Sequence, residues 1–345
     1  MKKMVNPYFL ALMSFLALIF ASNSLPAIDE EDSEEASTPA SFEISGFISN
    51  KNILSTYTKQ EAWDINRKNE LHTNIKIKYG FEDFYLFLNT NQYIIPLPIN
   101  DEFRYNERFH AGRNGTLSGT FYEVNAREFY VNLAFEKIRL RAGNQVYGWG
   151  TADVFNPTSY FNPSDLRELF FREDDELKQG VPSVSSMIFI GDYTLELVYV
   201  PVHVPLFVAA ENNFWEITYI EGPFPVFVTG GDGLPVSSKN FGYGGRLAGT
   251  VAGADLSLSA YHGPDKDPLM RPMRTVLVTG EPVSIMVVPE YYLVTSFGAD
   301  ASIRFDKFVI QGEVTFSPDK TVCIDQPYMI GMTLLRSGGV NDSNI

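Results

Sequence analysis

Residues 70–79 read Glu-Leu-His-Thr-Asn-Ile-Lys-Ile-Lys-Tyr, with Glu70, His72, Asn74, Lys76 and Lys78 alternating with Leu71, Thr73, Ile75, Ile77 and Tyr79. Successive side chains of a β-strand point to opposite faces, so a period of two held over this length describes a strand with one wet side and one apolar side. Residues 296–305 repeat the pattern, Ser296, Asp300, Ser302 and Arg304 standing opposite Phe297, Ala299, Ala301, Ile303 and Phe305. The stretch that follows answers it, with Gln311, Glu313 and Thr315 set against Phe308, Ile310, Val314 and Phe316. Similar alternation runs through 127–135, 137–145, 193–200 and 255–261. From residue 42 onward this gives about twelve strands.

Tight connections alternate with long ones. The tight ones fall at Gly80 to Asp83, Phe135 to Lys137, Gly191-Asp192, Ala252 to Ala254 and Asp306-Lys307, each with the glycine or polar residue that a short hairpin requires. Long stretches lie near 51–69, 92–120, 148–183, 202–239 and 263–289. This is the layout of an antiparallel up-and-down transmembrane barrel, with short periplasmic turns and long extracellular loops. A two-layer sandwich also alternates, its apolar face packed on a second sheet. Three features favour the barrel. The segments approach the ~9–11 residues a tilted strand needs to cross a bilayer. Aromatics sit beside the tight turns, at Tyr79, Phe81, Phe84, Phe135, Tyr193, Phe305 and Phe308, where an interfacial girdle belongs. The polar faces carry full charges, and a sheet in lipid must close to satisfy its edges. The pore-lining set is then Glu70, His72, Lys76, Lys78, Glu128, Arg139, Arg141, Glu196, Asp300, Arg304 and Glu313, whose mixed signs predict weak selectivity.

The chain has 345 residues and a formal charge of -15, with 27 Lys+Arg against 42 Asp+Glu. That balance argues against a nucleic-acid partner, which would need a basic stripe. A hydrophobic fraction of 45% excludes disorder over most of the length. Cys323 is the single cysteine, so neither an internal disulfide nor a paired-cysteine zinc site is expected. His72, His110, His203 and His262 are scattered, and no nucleophile motif marks an enzyme or calls for a cofactor. Lys2 and Lys3 precede an apolar run from Phe9 to Phe20 and small residues at Ala21, Ser22, Ser24 and Ala27. Residues 1–27 therefore read as a cleaved signal peptide, the run being too short for the ~20 residues of a spanning helix. Residues 28–41 hold six acids and no base and read as a solvated linker. The barrel is assigned to 42–345, in the outer membrane, with membrane lipid and small solutes as its partners. The final Ser337 to Ile345 reads as a loop, with Pro327 to Leu335 as a candidate closing strand. The missing terminal aromatic favours a piece of a barrel of about 14–16 strands over a closed one of twelve.

The most distinctive stretch is Gly143-Asn144-Gln145-Val146-Tyr147-Gly148-Trp149-Gly150, followed by Asp153, Asn156-Pro157, Asn162-Pro163-Ser164-Asp165, Glu176 and Gly180-Val181-Pro182. It resembles an uncharacterised family of Gram-negative outer-membrane, porin-like β-barrels whose strand ends in Gly-Arg-Gln, followed by Trp-Gly and Asn-Pro-x-Asp. The resemblance implies a barrel with a signal peptide and passage of small solutes. Here Asn144 replaces the family's usual arginine. Read physically, Asn162 supplies a helix N-cap, Pro163 the first helical position and Asp165 a first-turn acid, with Leu166, Leu169 and Phe170 at helical spacing. The loop is expected to fold inward as a constriction presenting Trp149, Asp153, Asn162, Asp165, Arg167, Glu168 and Arg172. Glu173 to Glu176 lacks the spacing of a calcium loop and reads as a solvated charge run. The apolar stretch from Val202 to Pro235 reads as packing over the barrel mouth or as an entrance for a hydrophobic ligand. Passive diffusion of small solutes is the expected function. A transporter of hydrophobic compounds and a non-conducting adhesin or structural barrel are the alternatives.

Overall fold

The computed structural model describes residues 40–54, 67–95, 116–119, 122–151, 156–168, 174–207, 218–219, 226–228, 233–278, 281–321, 323–330 and 333–340. The leader, most of the acidic linker, and Asp153, Leu169, Phe170 and Arg172 of the predicted constriction lie outside these residues. In chain order the strands are β1 (Ser41–Leu54), β2 (Arg67–Gly80), β3 (Phe84–Ile94), β4 (Thr116–Gly119), β5 (Tyr122–Ala134), β6 (Ile138–Gln145), β7 (Val181–Ile190), β8 (Tyr193–Val200) and β9 (Thr218–Tyr219). They continue as β10 (Val226–Val228), β11 (Gly242–Val251), β12 (Ala254–Pro264), β13 (Leu269–Val278), β14 (Glu281–Glu290), β15 (Leu293–Phe305), β16 (Phe308–Phe316), β17 (Cys323–Ile330) and β18 (Thr333–Val340).

The molecule is all-β. Its principal sheet has twelve strands, eleven of them in one path, β1-β2-β3-β5-β6-β7-β8-β11-β12-β15-β16, with β4 paired to β5 outside it. Every pairing along the path is antiparallel. The path is open, β1 and β16 being its edges. All five tight turns stand where the sequence puts them, between β2 and β3, β5 and β6, β7 and β8, β11 and β12, and β15 and β16. At the β11–β12 turn Ala252 and Gly253 both have positive φ, 51° and 81°, which matches the right-handed twist of the flanking strands.

Three expectations about the rest need correction. Two of the long connections are not plain loops, because β9, β10, β13 and β14 form a second sheet in the order β13-β14-β10-β9. Its β10–β14 pairing is parallel and joins stretches far apart in sequence, which no local hairpin signal announces. The tail is strand as far as Val340, since β17 and β18 pair as a separate hairpin. The candidate closing strand from Pro327 to Leu335 is therefore divided between β17 and β18. Finally, no helix starts at Asn162. Ser164 and Asp165 make isolated bridges to Lys178 and Phe207, and a single helical turn, α1 (Asp174–Leu177), comes later.

Burial is inverted relative to a water-soluble sheet. On one face Asn74, Asn89, Asn91, Asn125 and Asn132 are buried, together with Ser257 and Asp300. On the other, Ile44, Ile48, Leu258, Phe305, Ile310 and Val314 are exposed, Ile48 to 73%. Several of these buried polar side chains are hydrogen-bonded to one another across strands, Asn74 to Asn89 and Ser257 to Asp300 among them.

Candidate functional site

The polar face can be followed by register from strand to strand. His72 pairs with Tyr93, Asn89 with Glu128, Asn132 with Arg141, Arg139 with Met187, Met187 with Glu196, Glu196 with Arg246, Ser257 with Asp300, and Asp300 with Glu313. Arg246 pairs with Ser259, two residues from Ser257 on the same side. All eleven residues read from the sequence as one lining set thus share this face. Within it Lys78 Nζ donates to Glu43 Oε1 (3.2 Å), and Arg141 Nε donates to Asn132 Oδ1 (3.2 Å). Arg139 lies 5.7 Å from the Phe189 ring centroid. Arg246 donates to Ser257 Oγ (3.0 Å) and Asp300 Oδ1 (3.2 Å). Lys76 and Arg304 are exposed.

The described residues of the segment between β6 and β7 (146–151, 156–168 and 174–180) lie against this face and between them meet all eleven strands of the path. Glu176 Oε1 lies 2.7 Å from His72 Nδ1 of β2 and accepts from Tyr93 Oη of β3 (3.3 Å), and Glu176 Oε2 is 3.7 Å from Lys51 Nζ of β1. Arg167 forks onto Glu123 of β5, while Gln179 accepts from Asn125 (2.7 Å). Asn162 Nδ2 donates to Gln145 O at the end of β6 (3.0 Å), and Tyr147 Oη donates to Ser183 Oγ of β7 (2.7 Å). Trp149 Nε1 donates to Glu196 of β8 (2.7 Å). Tyr160 stacks on Tyr261 of β12, with ring centroids 5.2 Å apart. Glu313 of β16 accepts from the Thr151 amide and from Thr158 Oγ1 (3.0 Å). The remaining two strands meet the segment through glycines: a Cβ on Gly244 of β11 would lie 3.0 Å from Phe161, and one on Gly298 of β15 would collide with Tyr160.

A flat sheet would spread eleven strands over roughly 48 Å, at about 4.8 Å per strand. The segment that touches them all is folded on itself, with the Trp149 and Phe161 rings 5.0 Å apart, so the sheet curls around it. Tyr147, Trp149, Tyr160 and Phe161 form one buried cluster with Val181, Val198, Val200 and Tyr261. Burial pushes the Tyr147 hydroxyl up to about 12. It also lowers the Lys178 ammonium, which the nearby Lys266 and Arg127 lower further.

The described residues of the segment lie against the polar face of the sheet, through a local chemistry that differs from the expected one. Asn162 caps no helix. Its Oδ1 accepts from Tyr147 N (2.7 Å) and its Nδ2 also donates to Gln179 O (2.7 Å), so one amide ties both ends of the segment together. Asp165 faces Arg167 Nε (2.8 Å) in place of a helix dipole. Asp165, Arg167 and Glu168 are buried, as is Glu176, which corrects the reading of Glu173 to Glu176 as a solvated run at its last member. Asn144 donates to the Ala126 and Arg127 carbonyls (3.0 and 2.9 Å).

Glu123 and Asn125 were not legible as members of this face. In β5 Asn89 pairs with Glu128 but Thr90 with Ala126, leaving Arg127 as a bulge. The bulge switches parity, so odd residues before it and even residues after it share one side. The available signal was the adjacent pair Arg127-Glu128, where period two breaks. Gly244 and Gly298 carry no signal of their own.

Above the sheet, Leu206 N donates to Tyr291 Oη (2.7 Å), and Leu234 N donates to His203 Nδ1 (3.1 Å). Of the apolar stretch 202–235, Leu206 and Phe207 are buried, while Val208, Phe214, Trp215 and Phe224 lie outside the described residues. Burial pushes His203 down to about 4 from its ordinary 6.5, so its neutral form stabilises this contact fully above 6.5 and progressively less as pH falls toward 4. Amide exchange at Leu234, corrected for intrinsic rate, is expected to accelerate over that interval, and constant protection would contradict it. Among the described residues no group of three or more His, Cys, Asp or Glu side chains is placed to hold a metal ion.

No curated protein matches the chain. The model of a family described as "Protein of unknown function (DUF1302)" matches residues 56–341.

Proposed function

The chain belongs to the DUF1302 family, and we propose that it is an outer-membrane β-barrel whose polar side encloses a passage for small solutes, with the segment 146–180 as its gate. The observation that carries this reading is the inverted burial. A water-soluble sheet of this size would not leave its apolar face uncovered, since exposed apolar patches beyond a few hundred Å² are rare on soluble monomers. Hydrocarbon is the solvent that face suits. Two aromatic belts support the same reading. Exposed Phe81, Phe84, Phe135, Tyr193, Phe305 and Phe308 lie at the tight-turn end, and exposed Tyr122, Tyr199, Tyr243 and Phe316 at the other. From Phe308 to Phe316 the strand rises about 27 Å, or about 21 Å at a tilt of ~40°, close to the ~25 Å apolar band of such barrels. Export through a cleaved signal peptide fits this location.

Passive diffusion then depends on whether the segment leaves the passage. Planar-bilayer recording of the full chain is expected to show low conductance, rising several-fold on deletion of residues 164–175. Gly298→Leu is expected to raise it too, by unseating Tyr160 without altering the outer face. Heat-modifiable gel mobility checks folding of each variant. Silence from both folded variants would favour a non-conducting structural or adhesive barrel. A second reading, transport of hydrophobic compounds, is favoured by the aromatic cluster of the segment. Uptake of such compounds without ion conductance would select it.

A further inference from the structure

Arg139 and Arg141 stand two residues apart on the inner side of β6, close to its tight-turn end. Each guanidinium lies over an aromatic ring of a neighbouring strand, Arg141 at 5.0 Å from the Tyr130 centroid on β5 and Arg139 at 5.7 Å from the Phe189 centroid on β7. A ring face attracts the charge but leaves the in-plane N–H donors of the fork unmet. Arg141 Nε donates to Asn132 Oδ1 (3.2 Å). Arginine has no acceptor, so Asn132 must turn its oxygen to Arg141, and its NH₂ then finds no acceptor although the residue has no exposed surface. Arg139 Nε is a second buried donor without a partner. Among the described residues no carboxylate makes an ion pair with either arginine. The carboxylates around them are engaged elsewhere or turned outward: Glu128 accepts from Asn89 (3.1 Å), Glu196 accepts from Trp149 (2.7 Å), and Glu136 is exposed in the tight turn. Buried donors are met by protein or water in the great majority of cases, so a patch with two unmet ones beside two uncompensated charges is built around an acceptor that the chain does not supply.

We propose that Arg139, Arg141 and Asn132 form a binding site for the oxyanion group of a solute, a carboxylate or a phosphate, on the tight-turn side of the segment 146–180. The proposal rests on the reading of the inner face as the wall of a passage, and it names the class of solute that uses it. Either anion offers several lone pairs, which suits donors that come as planar forks. Both arginine side chains are half-buried, and their terminal nitrogens, unlike Arg139 Nε, are not sealed from the passage. Met187, in register with Arg139, and the Tyr130 and Phe189 rings make the surround apolar. Such surroundings strengthen a charge-assisted bond over its counterpart in water. The mixed signs of the lining set do not cancel this preference, because charges act locally, within a screening length of ~8 Å at physiological ionic strength. In the proposed orientation the patch lies at the periplasmic mouth.

Equilibrium dialysis of the full chain in a non-ionic, phosphate-free detergent against labelled inorganic phosphate, and in parallel against labelled acetate, tests the site. Saturable binding is expected for at least one of the two, and the tighter one names the head group. Arg139→Gln and Arg141→Gln are each expected to weaken it about tenfold or more, the loss of a charge-assisted bond. Asn132→Asp keeps both arginines and sets a carboxylate between them from within, so it is expected to abolish binding while heat-modifiable mobility shows the chain folded. Arg304→Gln removes the same charge from the inner face five strands further along the path and is expected to leave binding unaltered. Absence of saturable binding of both anions overturns the site. So does a loss in Arg304→Gln equal to that in Arg141→Gln, which is what diffuse charge alone gives, and so does undiminished binding in folded Asn132→Asp. Conductance of the 164–175 deletion separates this outcome from the fate of the channel reading. Current without saturable binding removes the site and leaves the channel. Binding to the full chain alongside a silent deletion removes the channel and leaves the site.

Discussion

Replacing Arg167 by methionine is expected to destabilise the folded chain by about 3–5 kcal/mol, the cost of leaving buried charge without its partner. The guanidinium engages Glu123 through NH1 and NH2 and Asp165 through Nε and NH2, the Nε bond measuring 2.8 Å. It also lies 5.6 Å from the Phe207 ring centroid. Glu123 and Asp165 have no exposed surface. Methionine fills much of the volume and supplies no donor, so both carboxylates must either protonate or draw in water. Lysine is not an adequate substitute, because a single ammonium cannot reproduce the fork that meets two carboxylates in one plane. Urea unfolding in lipid vesicles measures the effect. The double variant Arg167→Met with Glu123→Gln is expected to lose markedly less than the sum of the single changes, as groups in direct contact do. A loss below about 1 kcal/mol for Arg167→Met is what a water-exposed pair gives, and it would mean that the segment does not rest on the sheet as described.

The same triad shows where sequence reading succeeds and where it stops. Asp165 and Arg167 stand out as charged residues in a loop whose Leu166, Leu169 and Phe170 fall at helical spacing, and the inward fold expected there assumes an apolar helix face in need of cover, whereas residues 162–168 form no helix. Their partner Glu123 lay hidden behind the bulge at Arg127, because period-two counting assumes an unbroken pleat. The long alternating strands and their tight turns were legible, since each depends on contacts a few residues apart. The β10–β14 pairing was not, because parallel register between distant stretches is chosen by tertiary packing. Asn162 was misread for a different reason. Its N-cap preference is real but small, and three hydrogen bonds to the backbone of Tyr147, Gln145 and Gln179 outweigh a cap of roughly 1 kcal/mol. Gly244 and Gly298 act as sockets for aromatic rings that arrive from another part of the chain, and nothing local distinguishes them from glycines that merely loosen a strand.

Leu258→Arg separates a sheet that faces lipid from one that faces water. Leu258 lies mid-strand in β12, is 65% exposed, and sits between Leu247 and Ala299 on the outer face. If that face meets water, an exposed leucine can be replaced by arginine within about 0.5 kcal/mol. In the proposed barrel the same position stands near the bilayer midplane, where an arginine costs about 2–4 kcal/mol. Depth supplies the control. Val251 is also exposed on the outer face but ends β11 beside the tight turn, at the level of the aromatic belt. Val251→Arg is therefore expected to cost no more than about 1 kcal/mol, the side chain reaching the interface. Reversible urea unfolding in vesicles gives both values, and their difference carries the argument. A large cost at Leu258 with a small one at Val251 follows only if hydrocarbon surrounds the middle of the strands. Equal, near-zero costs would instead place the outer face in water, and with it would go both the membrane location and the enclosed passage.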